Sequence, residues 1–104
     1  MARNRTPSKQ TRGLMAALLS QPRAWRHGYD LAKQAGLSSG TLYPLLIRLH
    51  ERGHLEARWL EPDRPGRPAR HAYRLTALGL AYARGLEAEE AADAMWHEGE
   101  EIAG

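Results

Sequence analysis

At 104 residues the chain can bury one modest core, and with no cysteine it has no disulfide, thiolate metal site or cysteine nucleophile. Its longest apolar run, Leu14 to Leu19, is far too short to cross a bilayer, and no signal-peptide hydrophobic stretch follows the basic start, so a cytoplasmic protein is expected. The net charge of +3 hides an asymmetry: residues 1–86 hold all fifteen Lys and Arg against five acids, whereas residues 87–104 hold seven acids and no Lys or Arg. A basic body with an acidic tail suits a polyanion-binding domain joined to a segment that faces something else, although an ordinary solvated surface can have the same balance.

Residues 1–7 have no apolar periodicity and read as a flexible basic arm in which Arg3 and Arg5 either touch phosphate or stay disordered. Ser8 is placed to cap a first helix running to about Gln21, with Leu14, Met15, Leu18 and Leu19 as its buried stripe and Pro22 as its stop. Lys9 and Arg12 fall in its first turn, where the helix dipole disfavours cations, a placement that a nearby phosphate would explain. Arg23 to His27 reads as a loop or very short strand with Trp25 partly buried. A second helix is expected from about Gly28 to Ala35, with Tyr29, Leu31, Ala32 and Ala35 inward, and Gly36-Leu37-Ser38 turns the chain.

The third helix organises the rest. Leu42, Leu45, Leu46 and Leu49 form one apolar stripe, Ser38 or Ser39 can cap its start, and Gly53 supplies a left-handed stop. Gly40, Pro44, Ile47, Arg48 and Glu51 point away from that stripe. Pro44 has no N–H to donate and is tolerable only in or near the first turn. From His54 to Glu61 a half-buried strand is expected, with Leu55, Ala57, Trp59 and, out of phase, Leu60. Three prolines and a glycine between Pro62 and Pro68 then break regular structure. Arg70 to Leu75 reads as a second strand burying Ala72, Tyr73 and Leu75. Helix, strand, basic turn and strand make a winged helix-turn-helix, mainly α with a small β-hairpin wing that carries Arg64, Arg67 and Arg70.

Thr76 is placed to cap a last helix from about Ala77 to Glu101. Leu78, Tyr82 and Leu86 are spaced to close the core, while Leu78, Ala81, Gly85, Ala88, Ala92, Met95, Gly99 and Ile102 form a second, heptad-like seam of small residues. Gly85 and Gly99 weaken the helix, and so long a helix alone in water is marginal. Its expected partner is a second copy of the chain. The division that follows is an arm at 1–7, a DNA-binding domain at 8–76 and a dimerisation helix at 77–104.

His27-Gly28-Tyr29-Asp30-Leu31, Gly40-Thr41-Leu42-Tyr43-Pro44-Leu45-Leu46-Ile47-Arg48-Leu49, Glu51-Arg52-Gly53 and Tyr73-Arg74-Leu75-Thr76-Ala77-Leu78-Gly79 together resemble the PadR family of bacterial transcriptional regulators, over roughly residues 11–90. Gly-Thr-Leu-Tyr-Pro and the Tyr-x-Leu-Thr-x-x-Gly ending carry the specificity jointly. The resemblance implies a homodimeric winged-helix repressor of the short type, with a single C-terminal helix that makes the dimer and a small, often aromatic, effector. The proline-rich wing and the alanine- and acid-rich tail depart from the family pattern, at the groove contacts and at any effector pocket.

The expected DNA surface comprises Ser39, Thr41, Tyr43, Pro44 and Arg48 on the third helix, Arg64, Arg67 and Arg70 on the wing, and Lys9 and Arg12 on the first helix. Arg48 is the candidate for bidentate contact to guanine, and the wing arginines for phosphate or a narrow minor groove. Three of these have structural alternatives: Tyr43 as a packing residue, Ser38 and Ser39 as caps, and Arg70 as a partner of Glu61 or Asp63. His50 and His54 are four apart but Gly53 lies between them and no third ligand is evident, so no metal is expected. His27 and His71 read as surface residues. Met95 and Trp96 lie at the seam, either as a plain interface anchor or as a slot for a flat effector. No cofactor is implied, and neither a nucleophile–base constellation nor a phosphate-cradling loop points to an enzyme. Two binding classes therefore compete: a dimer reading a pseudo-palindromic double-stranded DNA operator, and a winged-helix protein-interaction module without DNA readout.

Overall fold

In a computed structural model, the backbone of residues 7–62 and 64–103 is described, with side-chain environments through Met95. The expected arm therefore lies, apart from Pro7, outside the described residues. The elements are α1 (Lys9–Leu19), β1 (Arg26–His27), α2 (Gly28–Ala35), α3 (Ser39–Glu51), β2 (Leu55–Leu60), β3 (Arg70–Leu75) and α4 (Ala77–Ala103). They make a winged helix-turn-helix, and β1 joins the hairpin as a third strand in the antiparallel order β1-β3-β2.

Local chemistry sets the boundaries. The Ser8 hydroxyl accepts the Thr11 N–H at 3.1 Å and caps α1, as Ser38 caps α3 by accepting the N–H of Thr41 at 3.3 Å. Helix α1 stops at Leu19, short of Gln21, because Ser20 and the buried Arg26 both donate to the Ala17 carbonyl, at 2.6 and 3.0 Å. A guanidinium at the negative end of a helix is favourably placed, and a second donation to Gln34 fixes it. Gly36 and Gly53 take φ of 71° and 83°, the left-handed turns that end α2 and α3. Pro44 is the sixth residue of α3, in the turn next to the first. Its ring opposes the carbonyl of Gly40, and both residues are exposed, so water can take over the forgone hydrogen bond.

Leu14, Met15, Leu18, Leu31, Leu42 and Leu46 are fully enclosed at the centre of the core. Leu49, Leu55, Tyr73, Leu75, Ala83 and Leu86 complete it from α3, the sheet and α4. Three expected core residues lie elsewhere. Tyr29 is 73% exposed on the outside of α2 and Trp59 is 67% exposed, because β2 has passed the edge of the core by its fifth residue. Leu78 is also exposed; α4 buries Leu86 as expected and packs Tyr82 partly against the core, but its other buried positions are Gly79 and Ala83, one residue on from Leu78 and Tyr82. The cause is at Gly79, where the two backbones touch: a Cβ there would overlap the His54 carbonyl.

That contact is part of a joint. The Thr76 N–H donates to the His54 carbonyl at 3.1 Å, its hydroxyl donates to the Gly53 carbonyl at 2.6 Å, and the same oxygen accepts the Gly79 N–H at 3.0 Å. Thr76 thus caps α4 and ties it to the end of α3. At 27 residues α4 is about 40 Å long and runs past the core into solvent, every residue from Glu87 to Met95 being exposed.

Candidate nucleic-acid interface

The outer side of α3 carries Gly40, Pro44, Ile47 and Glu51 along its crest, with Ile47 57% exposed. Polar groups flank that crest. Tyr43, on one flank, leans over Gly28 so closely that a Cβ there would overlap its hydroxyl. It lines an open groove with Tyr29 from α2, His27 from β1, and Arg70 and His71 from β3. Ser39, exposed and beside the capping Ser38, lines a neighbouring hollow with Tyr29, Lys33 and Tyr43.

Arg48 is five residues from Tyr43 and so about 140° round the helix. It shares a hollow with Ser8, Thr11 and Arg52, on the side of the α1 N-terminus. Thr41 is exposed, and its hydroxyl accepts from Ser38 at 3.2 Å. The expected α3 contacts thus divide between two flanks, one toward the wing and one toward α1.

The wing turns at Gly66 (φ 87°), with the Arg67 N–H donating to the Arg64 carbonyl at 3.3 Å. Arg64, Arg67 and Arg70 are exposed around one hollow with His27 and Glu61. Among the described residues none of the three has an acidic partner within ion-pair distance, Glu61 included; Asp63 lies outside them. Among the described residues, the wing therefore presents three arginines without an ion-pair partner beside the Tyr43 groove. Lys9 is exposed. Arg12 is engaged differently from the phosphate contact expected of it, since it pairs with Glu90 at 3.2 Å and Glu89 at 3.9 Å on α4. Those carboxylates offset the unfavourable first-turn charge from within the chain.

Two histidines, His54 and His71, stack on aromatic rings. His54 stacks on Tyr82 with ring centroids 4.5 Å apart, and its buried Nδ1 has no hydrogen-bond partner among the described residues. Burial, and then the charge of Arg52, hold its pKa below the ordinary histidine value. His50 is exposed, and among the described residues no group of three or more His, Asp or Glu is arranged to hold a metal. His71 lies between Trp59, stacked at 4.4 Å, and Tyr73, whose hydroxyl is 3.1 Å from its Nδ1. Burial, and secondarily Tyr43, push the Tyr73 phenol above its usual pKa. On α4, Ala81, Gly85, Ala88, Ala92 and Met95 are all exposed and lie opposite the face that meets the core. The side chains of Trp96, Gly99 and Ile102 lie outside the described residues.

The profile of the transcriptional regulator PadR-like family matches residues 15–84, most of the chain. The chain belongs to the PadR-like family. A PadR family transcriptional regulator from Eggerthella lenta is 33% identical over 86% of this chain and 81% of its own, with a TM-score of 0.68. A PadR-like transcription factor from Bacteroides fragilis is 31% identical, covering 84% of this chain and 86% of its own, with a TM-score of 0.64. The PcaV transcriptional regulator of Streptomyces coelicolor, solved with its natural ligand, is 27% identical over 88% of this chain and 60% of its own, with a TM-score of 0.66. No curated protein matches in sequence.

In this PadR-like chain, sequence reasoning did not anticipate Tyr29, His27 and His71 at the groove. Tyr29 carried a usable signal, since its hydroxyl needs a polar outlet that the core side of α2 lacks. His27 and His71 carried none, because strand pairing alone brings them beside Tyr43.

Proposed function

We propose that the chain is a homodimeric, sequence-specific DNA-binding repressor that leaves its operator when a small molecule binds. Residues 8–76 form the DNA-binding unit, residues 77–104 the dimerisation helix, and the protein works in the cytoplasm. The observation that carries the DNA reading is the convergence of Tyr29, Tyr43 and Arg70 on one open groove, with Arg64 and Arg67 exposed beside it. Hydroxyls and guanidinium groups arrayed around a protruding helix suit a duplex, in which phosphate contacts position the protein and base edges are read in the groove. Ser39, Thr41 and Pro44 place the start of α3 against the backbone, Arg48 reads a base from the opposite flank, and Lys9 adds a phosphate contact.

The dimer reading is supported by α4. A helix exposed on all sides over nine consecutive residues, with Ala81, Gly85, Ala88, Ala92 and Met95 along one face, has an unmet need for burial. A second α4 meets that need, and the small side chains let the two axes approach closely. Met95 acts as an apolar anchor of that seam, which Trp96, Gly99 and Ile102 continue.

The test is selection of bound fragments from genomic DNA at two salt concentrations. A two-fold symmetric site, with half-sites about 10 base pairs or a multiple of that apart and an affinity falling steeply with salt, supports the proposal. Uniform weak binding to all fragments would leave only a basic surface and favour the protein-interaction module.

A further inference from the structure

Trp59, His71 and Tyr73 share one face of the sheet. The cross-strand register pairs Leu55 with Leu75, Ala57 with Tyr73 and Trp59 with His71. The face that fills the core with Leu55, Leu75 and Tyr73 therefore continues past the edge of the core as Trp59 and His71. We propose that His71 is a phosphate-binding residue of the DNA interface, its Nε2–H turned to the backbone strand between α3 and the wing, and that Tyr73 is the positioning residue that fixes this tautomer. This role rests on the DNA-binding reading and deepens it.

The tautomer follows from the supply of donors and acceptors. The Tyr73 hydroxyl lies 3.1 Å from His71 Nδ1, and among the described residues it has no other hydrogen-bond partner. A neutral imidazole has one donor and one acceptor nitrogen. If Nδ1 carried the proton, it would donate to the phenol oxygen, and the phenol hydrogen would have no acceptor in a residue only 6% exposed. With Nδ1 bare, the phenol donates to it and both groups are satisfied. Burial keeps the phenol protonated, which favours the same arrangement. The imidazole proton is therefore on Nε2, the nitrogen turned away from Tyr73.

The ring plane is held as well. The Trp59 indole stacks on the imidazole with centroids 4.4 Å apart and planes 9° from parallel. That stack leaves Trp59 exposed, so it orders the imidazole more than it buries apolar surface. A ring fixed at one edge by a hydrogen bond and on one face by a stack loses little freedom on binding.

His71 is itself exposed and lines the open groove with Tyr29, Tyr43 and Arg70. One wall of that groove is the start of α2 with a flank of α3; the other is β3 at the foot of the wing. A helix in the major groove and a wing in the adjacent minor groove have a single phosphodiester strand between them. This groove is the space left for that strand. It offers the guanidinium of Arg70, two phenols and one N–H that needs no charge to donate.

Two measurements test the assignment. The first reads the His71 tautomer from ring nitrogen shifts in the full chain without DNA, at about pH 8, above the range in which an imidazole ordinarily takes up a proton. The Nε2–H form is expected, and Tyr73→Phe should mix the two forms. The second reads affinity for a mixed-sequence duplex of about 25 base pairs at low salt, since a phosphate contact needs no particular sequence. His71→Asn, whose amide reaches only as far as Nδ1, should bind about tenfold more weakly, a loss of about 1.4 kcal/mol. His71→Gln, whose amide N–H reaches the Nε2 position, should restore most of that affinity. An uncharged donor releases no counterion, so H71N should keep the parent slope of log K against log salt, whereas R64A/R67A should lower it. An Nδ1–H tautomer, H71Q as weak as H71N, or a slope that falls with H71N would each overturn the proposal. Binding that falls with R64A/R67A but not with H71N overturns the His71 contact alone. A chain that binds no duplex overturns the DNA reading itself, and the contact with it.

Discussion

Gly79→Ala is the substitution on which helix propensity and packing disagree most sharply. Gly79 lies in the first turn of α4, where alanine is the better helix former by about 1 kcal/mol. Against that gain, the new Cβ meets the carbonyl of His54, which is backbone and cannot rotate aside. Relief requires α4 to retreat, at an overpacking cost of about 1–3 kcal/mol. The retreat also stretches the hydrogen bonds of Thr76 to His54 and Gly53, each worth about 0.5–1.5 kcal/mol. The costs outweigh the gain, and a net loss of about 2 kcal/mol, roughly 10 °C in Tm for a domain of this size, is expected. Thermal and urea unfolding by circular dichroism should be measured at one fixed protein concentration, because self-association alone raises Tm. Gly13→Ala is the control: its Cβ would find only the Ala35 carbonyl at 3.8 Å, an ordinary contact, and should stabilise α1 by about 0.5–1 kcal/mol. A Gly79→Ala protein as stable as the parent would refute the account of the α3–α4 joint.

Arg64→Ala with Arg67→Ala should weaken binding to all DNA sequences alike and reduce the salt dependence of log K by about 0.9 for each phosphate that is no longer neutralised, read from affinities over a salt series. Arg48→Ala should cost about 1–3 kcal/mol and relax preference at one base of each half-site; equal weakening on every sequence would make Arg48 a phosphate-binding residue instead. Truncation after Leu86 keeps every core residue of α4 and removes most of the exposed face, so sedimentation should find monomers, and a surviving tight dimer would defeat the seam. Because His54 is held below its ordinary pKa, the unfolded chain takes up that proton first as pH falls. Its contribution is complete above the unfolded value of about 6.5 and is lost as pH drops through the folded pKa. His54→Phe, which can keep the stack on Tyr82, should flatten this part of the acid profile; an unchanged profile would count against it.

What was legible in the sequence was periodic, and what was not depended on where elements meet. Leu42, Leu45, Leu46 and Leu49 all proved buried, because four leucines at helical spacing have only one way to leave water together. Tyr29 and Trp59 were misplaced for a related reason: an aromatic at an inward-phased position is buried only while the element still lies over the core. Helix α2 turns Tyr29 toward the groove, and β2 has already left the core at Trp59. Arg26 was invisible as a structural residue, since its partner carbonyl at Ala17 and its amide at Gln34 come from two different helices. The α4 stripe keeps Leu86 but is displaced by one position at its start, because apolar spacing reflects side chains alone. At Gly79 the contact is backbone on backbone.

The family-specific ending Tyr73 to Gly79 acquires a physical reason from this joint. Tyr73 and Leu75 enter the core, Thr76 caps α4 while binding the Gly53 carbonyl, and Gly79 admits the His54 backbone. No flexible linker therefore separates the end of α3 from the start of α4. One hydroxyl and one missing Cβ fix the angle between the helix proposed to read DNA and the helix proposed to pair with its copy. In such a dimer the distance between the two α3 helices, and with it the half-site spacing, is set by this joint together with the α4 seam. A change at Thr76 or Gly79 should then discriminate among operators of different spacing before it alters preference for any base, whereas a change at Arg48 should do the reverse.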